Sequence, residues 1–110
     1  MRYFVKGEFI EPGVLLPQEQ FVQMLENVII PSLDAVSKLE KDNKIIAAGL
    51  LTGARAGVFI LEAESNEEVT QLLQNLPFWP LLKWKVLPLD SFEDRANRER
   101  NNIKNIMKSA

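Results

Sequence analysis

The way hydrophobic periodicity changes along this 110-residue chain limits its fold more than any other feature. Residues 3–10 alternate between an apolar face and a mixed face, which predicts a strand with one buried side. Residues 21–39 repeat apolar side chains at three- and four-residue spacings, which predicts a helix. Pro31 lies inside that run and lacks a backbone N–H, so we expect a kink or a two-part helix there.

The same reading predicts three further strands and a second helix. Residues 45–52 and 58–63 have strand composition, and the glycine-containing segment 53–57 between them predicts a hairpin loop. Ser65 is a suitable N-cap for a helix that ends before two closely spaced prolines, and residues 84–89 form the last predicted strand. The resulting order, β-α-β-β-α-β, predicts an α+β domain of the ferredoxin-like class.

The chain changes character after the last predicted strand. Residues 95–110 carry five Lys or Arg and one Glu, with sparse apolar positions at helical spacing. We therefore predict two parts: a ferredoxin-like domain over residues 1–89 and a C-terminal helical extension over residues 90–110.

Two absent residue types restrict the chemistry. The chain has no cysteine and no histidine, which excludes disulfides, thiolate nucleophiles and Ser-His-Asp catalysis. The aspartates lack calcium-loop spacing, so we predict no metal and no cofactor. Any catalysis must use carboxylates, lysines or hydroxyls.

Charge and hydropathy give expectations about partners and location. A net charge of −2 and a pI near 5.2 disfavour nucleic acid and anionic membranes as partners. The first residues lack the apolar core of a signal peptide, and the longest uncharged stretch is too short to span a bilayer. We expect a cytoplasmic protein.

Three segments resemble the muconolactone delta-isomerase family: Phe4-Val5-Lys6, Ala48-Gly49 and Leu76-Pro77-Phe78-Trp79-Pro80. The resemblance covers roughly residues 2–89 and is most specific where the second predicted helix ends. It implies a sheet that packs against another subunit's sheet as a dimeric α+β barrel, in a homodimer or larger homo-oligomer. It also implies cofactor-independent isomerisation of a small lactone by proton transfer. The chain departs from the family pattern at Leu50, where a polar residue is common.

Glu8 and Lys6 are the predicted catalytic residues. They lie two residues apart on the first strand, so they share the face opposite Tyr3 and Phe9. Proton transfer beside a carbonyl needs a carboxylate base and a cation that stabilises the enolate, which are the roles we assign to Glu8 and Lys6. The alternative is a solvated or mutually paired couple of charges on a half-exposed strand.

Five residues are predicted to bind substrate: Phe4, Glu62, Phe78, Trp79 and Trp84. The last three surround a proline-rich turn and could line a small apolar pocket. Alternatively, they plug the barrel end or a subunit contact. Glu62 would add a second carboxylate to the pocket, or it is a solvated strand terminus.

These observations predict an isomerase-like protein that moves a proton on a small lactone or related carbonyl compound. The alternative is a non-catalytic module of the same fold that binds a small ligand or assembles with itself. RNA binding is a third interpretation, because RNA-recognition domains share this element order. Lys83 and Lys85 flank Trp84, and Arg55 is a further basic residue. This interpretation is disfavoured because residues 57–61 hold a single aromatic side chain.

Overall fold

Four strands form one antiparallel sheet in the computed structural model, which describes residues 1–10 and 16–109. The elements are β1 (Arg2–Phe9), α1 (Gln18–Met24), α2 (Ile30–Lys41), β2 (Ile45–Leu50), β3 (Ala56–Glu62), α3 (Asn66–Gln74), β4 (Leu82–Leu89) and α4 (Phe92–Ser109). The strand order β2-β3-β1-β4 is ferredoxin-like, which confirms the predicted fold class.

The two faces of the sheet have different surroundings. Tyr3 pairs with Leu61 and Val5 with Phe59, and all four side chains are buried in the core beneath the helices. We call this side the covered face. The open face is formed by the alternate residues Arg2, Phe4, Lys6, Glu8, Val58, Ile60, Glu62, Lys83, Lys85, Leu87 and Leu89.

The long helical run contains one wide turn, at the place where the sequence predicts a two-part helix. Pro31 cannot donate a hydrogen bond to the preceding turn, and a π-helical turn over Leu25–Ile29 comes immediately before α2. Ser32 is fully buried beside it, where its Oγ donates to the Val28 carbonyl at 2.7 Å. The same oxygen accepts from the Phe78 N–H at 2.9 Å, which ties α2 to the loop before β4.

The start of α3 follows the predicted cap. Ser65 Oγ accepts from the Glu68 N–H at 3.2 Å, as expected for an N-cap serine. The Glu68 carboxylate accepts from the Glu64 N–H and from Lys44 Nζ, each at 2.8 Å. The backbone N–H of Glu64, and next the Lys44 ammonium, hold the pKa of Glu68 below its ordinary value.

We expect Glu68→Gln to weaken the dependence of folding stability on acid pH. Because the folded pKa of Glu68 is lowered from 4.5, its contribution is complete above that value and is lost as pH falls through the folded pKa. The measurement is the melting temperature from neutral pH to about pH 3, with Glu67→Gln as the control. An unchanged acid dependence in the Glu68 variant would contradict this assignment.

α4 extends away from the rest of the molecule. It begins three residues after β4 ends, and none of its side chains is buried. The overall dimensions are 70 × 32 × 25 Å. In the described ranges no helix is both long and apolar enough to cross a membrane. The predicted boundary between residues 89 and 90 stays a prediction.

Candidate functional site

A cavity of about 630 Å³ lies between the helices and the covered face. Its helical wall consists of Phe21, Leu25, Ile29, Leu33 and Val36, and its sheet wall includes Phe9, Leu50, Phe59, Leu82 and Trp84. This volume is within the range of roughly 300–1,000 Å³ that is usual for small-molecule sites. The predominantly apolar lining suits a small ligand with few polar groups.

Two glycines form the floor of the cavity. Gly7 of β1 and Gly57 of β3 are paired across the centre of the sheet. A Cβ at Gly7 would lie 2.8 Å from Cζ3 of Trp84, and one at Gly57 would lie 3.3 Å from Cδ2 of Leu50. The Trp84 ring and the Leu50 side chain therefore pack directly over bare backbone, and Gly7 has no room for a side chain unless Trp84 moves.

The aromatic wall beside this floor is held by hydrogen bonds as well as packing. Phe78 and Trp84 meet edge to face, with ring centroids 6.0 Å apart and planes at 64°. Trp84 Nε1 donates to the Trp79 carbonyl at 3.0 Å, and Ser32 holds the Phe78 N–H. Phe78 and Trp84 line the cavity, whereas Trp79 supports Trp84 through its main chain.

Three polar residues in the described part of the chain also line the cavity: Ser37 and Glu40 from α2, and Arg55 from the β2–β3 loop. The prediction from sequence did not include Ser37 or Glu40. Leu33, Ser37 and Glu40 follow at four- and three-residue spacings, so one helix face carries all three. That spacing is the signal that could have identified Glu40. From the sequence, Arg55 was considered only as a basic residue that could contact RNA.

The predicted catalytic pair lies on the other side of the sheet from this cavity. Lys6 is paired in register with Lys85, and Glu8 with Lys83, all on the open face. In the ranges that the structure describes, the side chains of Lys6 and Glu8 make neither a hydrogen bond nor an ion pair. Their catalytic roles stay predictions, and a closed site around them would require another chain over the open face.

Phe4 and Glu62 share that open face. Phe4 is half-buried and paired in register with Ile60 and Leu87. The Glu62 carboxylate lies 3.2 Å from Arg2 Nε and 3.7 Å from the N-terminal ammonium. Neither residue lines the cavity, and their substrate-binding roles also stay predictions. Across the described residues, no group of three or more carboxylates is placed to hold a metal ion.

The fold and the cavity together define a ferredoxin-like α+β domain with a cavity of small-molecule size between its helices and its sheet. The family model for muconolactone delta-isomerase matches residues 9–95, and the chain belongs to that family. This confirms the resemblance noted in the sequence. No curated protein sequence matches the chain significantly.

Two solved structures share the fold. One is a crystal structure of muconolactone isomerase, with a TM-score of 0.69 and 19% identity over 83% of this chain and 90% of that one. The other is 5-chloro-2-hydroxyhydroquinone dehydrochlorinase from Burkholderia phenoliruptrix AC1100 in complex with 2,5-dihydroxybenzoquinone. It has a TM-score of 0.62 and 21% identity over 86% of this chain and 98% of that one.

Proposed function

We propose that the cavity binds a small carbonyl compound, such as a lactone, and that the protein shifts a proton on it without a cofactor. The observation that carries this proposal is the apolar cavity with a carboxylate and a guanidinium in its lining, Glu40 and Arg55. Sites that bind small molecules combine a mostly apolar wall with a few polar groups that orient the ligand.

The reaction needs only a base and a cation. A carboxylate removes a proton from the carbon beside the carbonyl, and the electron pair moves onto the carbonyl oxygen as an enolate. A cation stabilises that negative charge, and return of the proton to another carbon completes the isomerisation. We assign the base to Glu40 and the cation to Arg55.

The relatives support this ligand class. Their names denote the isomerisation of a lactone and the removal of hydrogen chloride from a chlorinated hydroquinone. Both compounds are small oxygenated molecules, and both reactions transfer a proton. The predicted pair Glu8 and Lys6 offers the same chemical groups on the open face, so an experiment must separate the two sites.

We expect Glu40→Gln to lower kcat for muconolactone isomerisation at least about 100-fold, because a general base commonly contributes that much. Glu8→Gln and the control Glu26→Gln should stay within about twofold of wild type. The measurement is steady-state turnover followed by ultraviolet absorbance, with circular dichroism as a check of folding. The reverse pattern, with Glu8→Gln inactive, would place the reaction on the open face.

Binding can be measured separately from turnover. The chain has two tryptophans, so Trp79→Phe leaves Trp84 as a single fluorophore in the cavity wall. Ligand quenching of that fluorophore without turnover would favour the non-catalytic binding module. The absence of both quenching and turnover with muconolactone would exclude that compound as the ligand.

A second copy of the chain is the partner we propose for the open face. Phe4, Ile60 and Leu87 form an apolar row across three strands, and charged side chains flank it. A sheet with helices on one side can bury its other face against a second sheet about 10 Å away. Two copies joined in this way would form the dimeric barrel that the family resemblance implies.

We expect Ile60→Glu to lower the molar mass of such an assembly, because paired copies would bring two buried carboxylates together. The measurement is molar mass by light scattering at about 50 μM protein, with Lys38→Glu on the exposed surface of α2 as the control. A wild-type monomer at that concentration, or an unchanged mass for Ile60→Glu, would contradict the proposed interface.

A further inference from the structure

α4 has the features of a stable helix without a partner. Ser91 Oγ accepts from the Asp94 N–H at 3.0 Å, which caps its first turn. Arg95 Nε lies 3.2 Å from Glu99 Oε1, one turn further along. These contacts do not bury the apolar side chains of α4, and Phe92 is 97% exposed.

Four of the five apolar residues of α4 follow a seam, which also includes the charged Glu99. The seam positions are Phe92, Ala96, Glu99, Ile103 and Ile106, separated by four, three, four and three residues. This spacing is that of helices that pack side by side in coiled coils. Ile103 and Ile106 are more than half exposed, so the seam is available along its length. An isolated helix of 18 residues is marginal in water, and a partner along the seam would stabilise it.

We propose that α4 pairs antiparallel with α4 of a second copy of this chain. Glu93 lies beside the seam near its start, and Arg100 and Lys104 lie on the same side further along. In an antiparallel pair, Glu93 of each copy approaches Arg100 or Lys104 of the other, so the favourable contact occurs twice. The larger Ile103 and Ile106 then face the half of the partner helix that contains the small Ala96.

The parallel arrangement is disfavoured by charge. In a parallel pair, a residue that immediately precedes a seam position on one helix contacts the residue that immediately follows the next seam position on the other helix. Arg95 immediately precedes Ala96, and Arg100 immediately follows Glu99. Arg95 of each copy would then approach Arg100 of the other, which places like charges together on both sides. This charge pattern selects the antiparallel orientation, and the proposal is independent of the function of the cavity.

The natural absence of cysteine provides a direct test of orientation, because any introduced thiol is unique. We expect rapid disulfide formation when full-length Phe92→Cys and Ile103→Cys proteins are mixed, because these seam positions face each other in the antiparallel pair. Neither protein should cross-link alone. At a rise of about 1.5 Å per residue, the identical positions are separated by more than the roughly 7 Å Cα distance that a disulfide allows. Rapid cross-linking of Phe92→Cys alone would establish a parallel pair and overturn the proposal.

A second variant tests the seam without depending on thiols. We expect the double substitution Phe92→Ser and Ile106→Ser to raise the dissociation constant for self-association at least tenfold in sedimentation velocity. Both the seam variant and its reference protein carry Ile60→Glu, so that association through the open face does not contribute. The matched control is Asn97→Ser with Asn101→Ser on the opposite side of α4. Unchanged association of the seam variant would overturn the proposal. The proposal would also be overturned if the protein did not self-associate but bound phosphatidylglycerol vesicles, and if the seam substitutions abolished that binding.

Discussion

Replacing Ser32 by alanine is expected to lower the free energy of unfolding by about 2 kcal/mol. The hydroxyl is fully buried and makes two hydrogen bonds, to the Val28 carbonyl and from the Phe78 N–H. Its removal leaves the Phe78 N–H buried without an acceptor, and an unsatisfied buried donor costs about 1–3 kcal/mol. Urea unfolding followed by circular dichroism measures the change.

The matched control is Ser37→Ala, five residues further along α2, where the side chain is exposed. We expect that substitution to change stability by less than about 0.5 kcal/mol. Ser32→Ala should also weaken ligand binding, because Phe78 packs against Trp84 in the cavity wall. Equal stability of the two variants would show that solvent or a local shift replaces the lost hydrogen bonds.

Substituting Gly57 by valine is expected to weaken ligand binding at least tenfold while leaving the fold intact. The new Cβ would meet Cδ2 of Leu50 at 3.3 Å, and Leu50 can move outward because it is 76% exposed. The two methyl groups would then occupy the floor of the cavity, where the ligand needs space. Quenching of Trp84 fluorescence measures the change in affinity.

Gly49→Val provides the comparison. Gly49 is also a strand glycine, but a Cβ there has open space around it. Both substitutions add a β-branched residue to a strand, so their effects on strand propensity should be similar. If Gly57→Val bound ligand as tightly as wild type, the ligand would not reach the paired glycines.

The sequence predicted the order of the elements because periodicity is a local property. The alternation in residues 3–10 and the cap at Ser65 each depend on a few neighbouring residues, and the structure contains both. The parity of β1 likewise placed Lys6 and Glu8 on the face opposite Tyr3. It could not show which face would carry the cavity, because that depends on where the helices pack.

The floor of the cavity could not be predicted from the sequence for a related reason. It requires Gly7 to pair with Gly57, 50 residues along the chain, and the register between distant strands is not visible in either segment alone. Glu40 was missed because the predicted apolar stripe ends at Leu39, and the cavity extends one residue beyond it. Phe78 and Trp84, which line the cavity, could be predicted because aromatic residues beside a proline-rich turn are a local signal, and their role in binding substrate stays a prediction.

The paired glycines also affect how ligand selectivity can change over generations. Their backbone is held by hydrogen bonds to strands on both sides, so the floor cannot rise to fill an empty cavity. The distance from floor to helices is therefore fixed by the sheet, while substitutions at Gly57, where the exposed Leu50 can move outward, could shorten it by one methyl group at a time. A lineage could adjust the size of the molecule that it accepts in this way, without altering the groups that act on it.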